Sequence, residues 1–171
     1  MRTIAALAMI FCTGAARAGP TLCAKEEIAV FSCAIGQKIA ALCASKDLDE
    51  TTGTLFYRFG KPGAAELSYP GAGADPHKAF TISTIPPGNG DFVRFSNAGT
   101  TYTVYSLVTK IPGKFFSDGV LISKGSKVLA DLHCKEEALV SGAAWGPVYK
   151  AKLPQAESTD LRPDGVFPRV Q

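Results

Sequence analysis

The sequence has few of the residues on which catalysis most often depends. It contains only two histidines, His77 and His133. Neither a Gly-x-Ser-x-Gly nucleophile turn nor a His-x-x-x-His ligand pair accompanies them. The glycine-rich stretches lack the lysine and the following helix of a phosphate-binding loop. The sequence therefore predicts a protein that is not an enzyme and has no cofactor. Catalysis by His77, which lies near Asp75, is kept as a subordinate hypothesis.

Clustered charge and long apolar segments are also scarce. The net charge of the whole chain is +3, and the basic residues do not form a group that would bind a phosphate backbone. Beyond the N-terminus, no segment reaches the roughly 20 apolar residues that a membrane-spanning helix needs. The sequence therefore predicts neither a nucleic-acid partner nor a transmembrane segment in the mature chain.

The N-terminus is organised like a cleavable secretory signal peptide. Met1-Arg2 is followed by the apolar run TIAALAMIF and then by Ala16-Arg17-Ala18, which has small residues at the positions that signal peptidase recognises. We predict that residues 1–18 are a signal peptide and that the mature protein is periplasmic or secreted. Residues 19–153 are predicted to form one domain. Residues 154–171, which include three prolines, are predicted to form a flexible tail.

Cysteine usage fits an exported protein. Cys12 leaves with the signal peptide, and the remaining cysteines are Cys23, Cys33, Cys43 and Cys134. An even set in an exported domain favours disulfides, and the spacings lack the C-x2-4-C pairs of a zinc site. If Ile35-Gly36 form the turn of a hairpin over residues 28–43, Cys33 and Cys43 lie at opposite ends, beyond the ~7 Å Cα limit for a disulfide. We therefore predict the disulfides Cys23–Cys43 and Cys33–Cys134.

The pattern from Glu26 onward is typical of an all-β fold. Short runs rich in Val, Ile, Phe, Tyr and Thr are separated by glycine-containing turns. They predict about nine strands, over residues 28–33, 38–43, 54–59, 65–69, 79–85, 92–96, 101–108, 119–123 and 128–134. Because the connections are short, we expect a single antiparallel meander closed as a small barrel or sandwich. A short C-terminal helix is predicted from Glu136 to about Ser141.

Two strand segments share one pattern, Phe56-Tyr57-Arg58-Phe59 and Phe92-Val93-Arg94-Phe95. Strand alternation places each phenylalanine and the arginine two residues later on the same face. If both strands lie in one sheet, these side chains form a single partner-binding patch; its predicted members are Phe56, Arg58, Phe92, Arg94 and Tyr105. Aromatic residues and arginine are common in binding hot spots. The alternative is a structural arginine, for example Arg58 paired with Glu66 across the strands while its stem covers Phe56.

These patterns lead to a functional prediction and an alternative. We expect an exported, non-enzymatic protein that binds another protein, in the manner of an inhibitor or immunity protein. The alternative is a small-ligand-binding β-barrel with its site in the barrel mouth. The predicted inward side chains are bulky, which argues against a large internal cavity. They are Leu55, Tyr57, Phe59, Val93, Phe95, Tyr102, Val104 and Val108.

Several motifs resemble those of a group of small exported proteins of Gram-negative bacteria. They are Glu27-x-x-Val30-Phe31-Ser32-Cys33-x-x-Gly36-x-Lys38, Leu42-Cys43-Ala44-Ser45, Tyr57-Arg58-Phe59-Gly60, Arg94-Phe95-x-Asn97 and Leu132-x-Cys134. More loosely, the cysteine-containing first and last strands of a meander resemble the periplasmic inhibitors of C-type lysozyme. Those inhibitors insert a Ser-Gly-x-Arg-Tyr loop into the lysozyme active site. The nearest match here, Ser141-Gly142-Ala143-Ala144-Trp145, lacks the Arg-Tyr pair and follows the last cysteine.

Overall fold

A computed structural model describes residues 20–85, 90–111, 114–136, 138–140, 145–157 and 163. The predicted signal peptide lies outside these residues. Most of the described chain forms two antiparallel sheets of five strands each. The all-β fold class and the antiparallel pairing of sequence neighbours are confirmed.

The first sheet, sheet A, has the strand order β10-β1-β2-β3-β4. Its strands are β1 (Ile28–Ile35), β2 (Lys38–Ala44), β3 (Leu55–Lys61), β4 (Ala64–Tyr69) and β10 (Leu139–Val140). The predicted β1–β2 hairpin is present, but Ile35 pairs with Lys38, so the turn residues are Gly36 and Gln37. The predicted turn is one residue out of register. Gly36 has a φ of +62°, a conformation that glycine adopts without a steric penalty.

The second sheet, sheet B, has the order β5-β6-β7-β8-β9. Its strands are β5 (Thr81–Ile85), β6 (Gly90–Asn97), β7 (Thr100–Ile111), β8 (Lys114–Lys124) and β9 (Lys127–His133). The described residues also form two short helices, α1 (Pro76–Ala79) and α2 (Gly146–Lys150). Among the described strands neither sheet closes on itself, so the arrangement is sandwich-like and the barrel alternative is wrong.

Aromatic side chains from both sheets fill the space between them. Phe95 stacks on Tyr102, with ring centroids 4.9 Å apart, and on Tyr69 at 4.5 Å. Tyr57 and Phe80 complete this cluster, and burial raises the pKa of the Tyr57 hydroxyl. The packed interior agrees with the predicted inward side chains, of which Leu55, Tyr57, Val93, Phe95 and Val104 are buried. Val108 is the exception, since it is 53% exposed beside a register shift in β7.

One side of the sandwich is closed where the chain leaves β9. Cys134 forms a disulfide with Cys33 of β1, and the amide of Lys135 donates a hydrogen bond of 2.9 Å to the carbonyl of Ala34. The other disulfide joins Cys23 to Cys43. These are the two pairs that the hairpin argument predicts. The register error leaves that argument intact because Cys33 pairs with Ala40 and Cys43 with Ala29, far apart along the hairpin.

The predicted helix from Glu136 is wrong over Leu139 and Val140, which form β10 beside β1. A helix of this length has few internal hydrogen bonds and is unstable alone. The same residues complete the edge of β1 when they are extended. The short C-terminal helix is instead α2, preceded by Trp145, whose ring stacks on Phe31 at 6.3 Å.

The start of the predicted tail is paired with sheet B. The amide of Ile82 donates to the carbonyl of Pro154, and the amide of Ala156 donates to the carbonyl of Ile82. The predicted boundary at residue 153 is therefore too early, because residues 154–156 cover the outer edge of β5. Of the remaining predicted tail, the structure describes residues 157 and 163.

Candidate functional site

The two Phe-x-Arg segments lie in different sheets. Phe56 and Arg58 belong to β3 in sheet A, whereas Phe92 and Arg94 belong to β6 in sheet B. In each segment the intervening residue, Tyr57 or Val93, is buried in the core between the sheets, so both Phe-x-Arg pairs point outward. The single patch that the sequence predicts is therefore wrong, because the two pairs occupy opposite faces of the sandwich.

The outer face of sheet A is covered by an N-terminal strap, which we define as residues 20–27. The disulfide from Cys23 to Cys43 fixes the strap to β2. Leu22 and Cys23 pack over Ile39 and Ala41, which are 2% and 0% exposed. The strap thus buries an apolar strip that β2 would otherwise present to solvent.

Arg58 fixes the strap to β3. Its guanidinium donates two hydrogen bonds to the carboxylate of Glu27, of 2.5 and 2.9 Å, and one of 3.3 Å to the carbonyl of Leu22. The two hydrogen bonds from Arg58 to this carboxylate hold the pKa of Glu27 below its ordinary value. The guanidinium also lies 5.1 Å from the centre of the Phe56 ring. Arg58 is therefore structural, but its partner is not the predicted Glu66, which instead pairs with Lys38.

On the outer face of sheet B, Phe92 and Tyr105 are fully buried. They pack in a second apolar cluster with Ile85, Leu107 and Leu121. The prediction that Phe92 and Tyr105 form an exposed binding surface is wrong. Arg94 lies over the Phe92 ring at 4.4 Å.

Tyr105 also takes part in a polar cluster that the sequence analysis missed. Its hydroxyl donates to Asp131 at 2.9 Å and lies 3.2 Å from Nδ1 of His133. The ring crosses Gly119, where an added Cβ would come within 2.6 Å of the hydroxyl. A glycine in the middle of a strand is a signal of such close approach. Tyr105 is fully buried, and its contacts join β7 to β9 across Gly119 of β8.

His77 joins the two helices. One ring nitrogen lies 3.1 Å from the carboxylate of Asp75, and the other lies 2.7 Å from the carbonyl of Ala151 at the end of α2. Asp75 also accepts a hydrogen bond from the backbone amide of His77, which lowers the pKa of the Asp75 carboxyl. Both ring nitrogens face acceptors within the fold, so the geometry supports a structural role for His77.

A groove of about 390 Å³ opens beside His77. It lies where β5 begins and β6 ends, between α1 and residues 154–157. Of the predicted site residues it contains only Arg94; its lining is His77, Lys78, Ala79, Phe80, Thr81, Arg94, Phe95, Ser96, Pro154, Ala156 and Glu157. No local sequence motif marks this groove, because its residues come from segments that are far apart in the chain.

Asp118 of β8 is a buried acid near the crossing between the sheets. One carboxylate oxygen accepts a hydrogen bond of 2.8 Å from the amide of Ala138. Burial raises the pKa of this carboxyl. Asp118 therefore fixes the path of the chain toward β10 at an electrostatic cost.

The described residues contain one cluster of metal-ligand atoms, formed by Cys23, Glu27 and Cys43. The two sulfurs are bonded to each other, so they do not offer the thiolates that a metal requires. Glu27 is held by Arg58. This cluster is therefore a disulfide beside an ion pair.

Within the described part of the chain, no helix has the length and apolar character needed to cross a membrane. The segment that aligns most nearly with the lysozyme-inhibitor loop, residues 141–144, lies outside the described residues, and the Trp145 that follows it is buried. Comparison of the chain with protein-family models, with curated proteins and with solved structures gave no match.

Proposed function

We propose that the protein is exported to the periplasm after cleavage of its signal peptide and acts there by binding another protein, as an inhibitor or immunity protein does. The two disulfides support this location, because they form and persist in an oxidising compartment. The role is one of recognition and does not include catalysis. His77 supports this view, since contacts within the fold engage both of its ring nitrogens.

The observation that carries the proposal is the open edge of β4. Among the described residues, no strand pairs with the outer edge of β4, which ends the order of sheet A. The edge of β5 is different, because residues 154–156 cover it. An uncovered edge strand offers backbone N–H and C=O groups to an extended segment of another chain. The partner segment is thus proposed to add a strand to sheet A.

The side chains of β4 leave its backbone accessible. Ala64 and Ala65 are small and exposed. Glu66 is held toward β2 by its ion pair with Lys38 at 2.6 Å, so its carboxylate is directed away from the open edge. Tyr69 is followed by Pro70, which has no amide hydrogen to donate and ends the strand. The accessible edge is therefore one short strand, suited to a partner segment of about six residues.

Site-specific photo-cross-linking in periplasmic and secreted extracts tests the proposal. A benzophenone amino acid is placed at Ala65 on the β4 edge, at Leu129 on the β9 edge, or at Lys150 of α2; all three positions are exposed. We expect a cross-linked protein from Ala65 only, and excess unlabelled protein should abolish it. An excess of the reduced and alkylated protein, which lacks both disulfides, should not compete for the cross-linked partner. A cross-link from Leu129 alone would exclude β4, and the absence of any cross-link would reject protein binding at this edge.

A further inference from the structure

We infer that the disulfide between Cys23 and Cys43 is a site of thiol–disulfide exchange, at which a dithiol protein reduces the cross-link and releases the strap. The disulfide joins the strap to β2 on the outer face of sheet A. This exchange site is separate from the β4 edge and does not depend on the partner proposed there. Its reductant is defined by chemistry, as a protein with a pair of cysteine thiols that are oxidised to a disulfide.

The two sulfurs of this disulfide differ in their access to solvent. Cys43 is fully buried in β2, whereas Cys23 is half-buried in the strap and is followed by the exposed residues 24–26. An attacking thiolate must reach one of the two sulfurs. The attack is therefore directed to Sγ of Cys23, with the sulfur of Cys43 as the leaving group.

The strap is held to sheet A by contacts that open without disrupting a β-ladder. Residues 20–27 belong to no strand. Side chains of the sheet donate hydrogen bonds to the strap, from Arg58 and from the hydroxyl of Ser32, which lies 2.9 Å from the carbonyl of Pro20. A segment held in this way opens locally at a lower free-energy cost than a paired strand. Local opening gives a reductant room to reach Cys23.

The disulfide between Cys33 and Cys134 is the internal reference for this comparison. Cys33 lies in β1 and is 3% exposed. Cys134 is half-buried, as Cys23 is, so the difference lies in how its backbone is held. The amides of Cys134 and Lys135 donate hydrogen bonds of 3.0 and 2.9 Å to carbonyls of β8 and β1. Attack on this disulfide therefore requires the junction between the two sheets to open.

The exchange proceeds in two steps. A thiolate of the dithiol protein attacks Sγ of Cys23, a new S–S bond joins the two proteins, the bond to Cys43 breaks, and the Cys43 thiolate takes up a proton. The second thiolate of the dithiol protein then attacks its partner sulfur in the mixed disulfide and releases Cys23, which is protonated in turn. Two electrons pass from the dithiol to the disulfide, so this chain gains two thiols and the reductant becomes a disulfide.

Release of the strap uncovers an apolar strip of sheet A. Leu22 and Cys23 of the strap pack over Ile39 and Ala41 of β2, which are buried in the oxidised protein. The hydrogen bonds from Arg58 to the strap remain after reduction. Reduction therefore raises the fraction of open strap without unfolding either sheet. The disulfide thus controls whether this strip is covered or accessible to solvent.

Reduction of the folded, oxidised protein by reduced thioredoxin, a dithiol protein, tests the exchange. Alkylation and peptide mass spectrometry then give the rate for each disulfide. We expect Cys23–Cys43 to be reduced at least about tenfold faster than Cys33–Cys134. In denaturing urea with dithiothreitol, the control, the two rates should be similar because both disulfides are accessible.

A thioredoxin variant that lacks its second cysteine identifies the attacked sulfur. This variant cannot complete the second step and should be trapped as a mixed disulfide at Cys23. Equal rates of reduction of the two disulfides in the folded protein would overturn the exchange site. A trapped adduct at any other cysteine would overturn it as well.

Hydrogen exchange and dye binding test the release of the strap. Cys23→Ser combined with Cys43→Ser mimics the reduced state and keeps the other disulfide, and a dispersed NMR spectrum shows that it is folded. We expect the Ala24 amide to exchange at least about fivefold faster than in the oxidised wild type, and anilinonaphthalene sulfonate to bind. Ile39→Thr in the same background should lower dye binding, because it removes apolar surface from the strip.

The wild type treated with thioredoxin gives the same readout without any substitution. Its Ala24 amide should exchange faster after reduction of Cys23–Cys43, while the amides of β7 and β8 keep their rates. The double serine variant should show no further change with thioredoxin. Unchanged exchange at Ala24 in the reduced wild type would show that the disulfide does not control the strap.

Discussion

The two outer faces of the sandwich carry the same local motif and use it differently. In both β3 and β6 an arginine lies over the phenylalanine two residues before it, at 5.1 Å for Arg58 and 4.4 Å for Arg94. On sheet A the guanidinium is engaged by the strap through Glu27. On sheet B it is oriented by Thr103 and lines a groove. Strand alternation sets the local geometry of the motif, and the chain packed against it sets its role.

The phenylalanines of the two motifs also differ. Phe56 is partly exposed beside the strap, whereas Phe92 is fully buried among apolar side chains of sheet B. Phe56 should therefore contribute little to the free energy of unfolding, and Phe92 should contribute much. This difference gives the largest effect that we predict.

Phe92→Ala should lower the free energy of unfolding by about 3–5 kcal/mol, because it leaves a cavity where a fully buried ring packs. Phe56→Ala should lower it by about 1 kcal/mol or less, since its ring is partly solvated on the outer face of sheet A. Urea denaturation of both variants with the wild type as reference measures the difference. Equal losses would contradict the contrast in burial between the two faces.

Removal of the strap disulfide is expected to have the next largest effect. Cys23→Ala combined with Cys43→Ala opens a cross-link that spans 20 residues, which corresponds to about 3 kcal/mol in the chain-entropy model. Trypsin should also cleave faster after Lys25, an exposed residue of the strap. Urea denaturation and mass spectrometry of the peptides measure the two effects. A double variant with wild-type stability and an unchanged rate of cleavage at Lys25 would show that the disulfide does not fix the strap.

The smallest effects concern pH and have opposite signs at two acids. Hydrogen bonds from Arg58 lower the pKa of Glu27 in the folded state from 4.5, so its stabilisation is present above pH 4.5 and is lost as the pH falls below it. Burial raises the pKa of Asp118 in the folded state from 3.8, so its contribution is present below pH 3.8 and is lost as the pH rises through the folded-state pKa.

Glu27→Gln should therefore lose most stability relative to the wild type near neutral pH and least in acid. The free energy of unfolding of Asp118→Asn, relative to that of the wild type, should be highest near neutral pH and lowest in acid. Urea denaturation from pH 3 to pH 7 measures both profiles, and the spectrum of each variant at neutral pH serves as the control for folding. If the stability differences of the two variants changed in the same direction with pH, the assignment of the two acids would be wrong.

Local pattern was sufficient to predict most of the strands and the disulfide pairs. Alternating apolar residues and glycine-containing turns act over a few residues, and the hairpin separates Cys33 from Cys43 even with the turn misplaced by one residue. Leu139 and Val140 were predicted wrongly because their structure depends on the edge of β1, more than 100 residues earlier in the chain.

The candidate site was harder to predict, because it depends on which sheet each strand joins. The Phe-x-Arg segments form one patch only if β4 pairs with β5, and these two strands lie in separate sheets. The partner of Arg58 was also missed. Glu66 is close in sequence, but it pairs with Lys38, while Glu27 reaches Arg58 through the path of the strap.

Amide hydrogen exchange in the matched variants Arg58→Met and Arg94→Met tests most directly the claim that one motif holds the strap and the other does not. The amide of Ala24 reports on the strap, because it donates a hydrogen bond of 2.7 Å to the carboxylate that Arg58 engages on Glu27. We predict that Arg58→Met accelerates exchange at Ala24 by at least about fivefold, and that Arg94→Met leaves it unchanged. Equal rates of Ala24 exchange in the two variants would contradict this account.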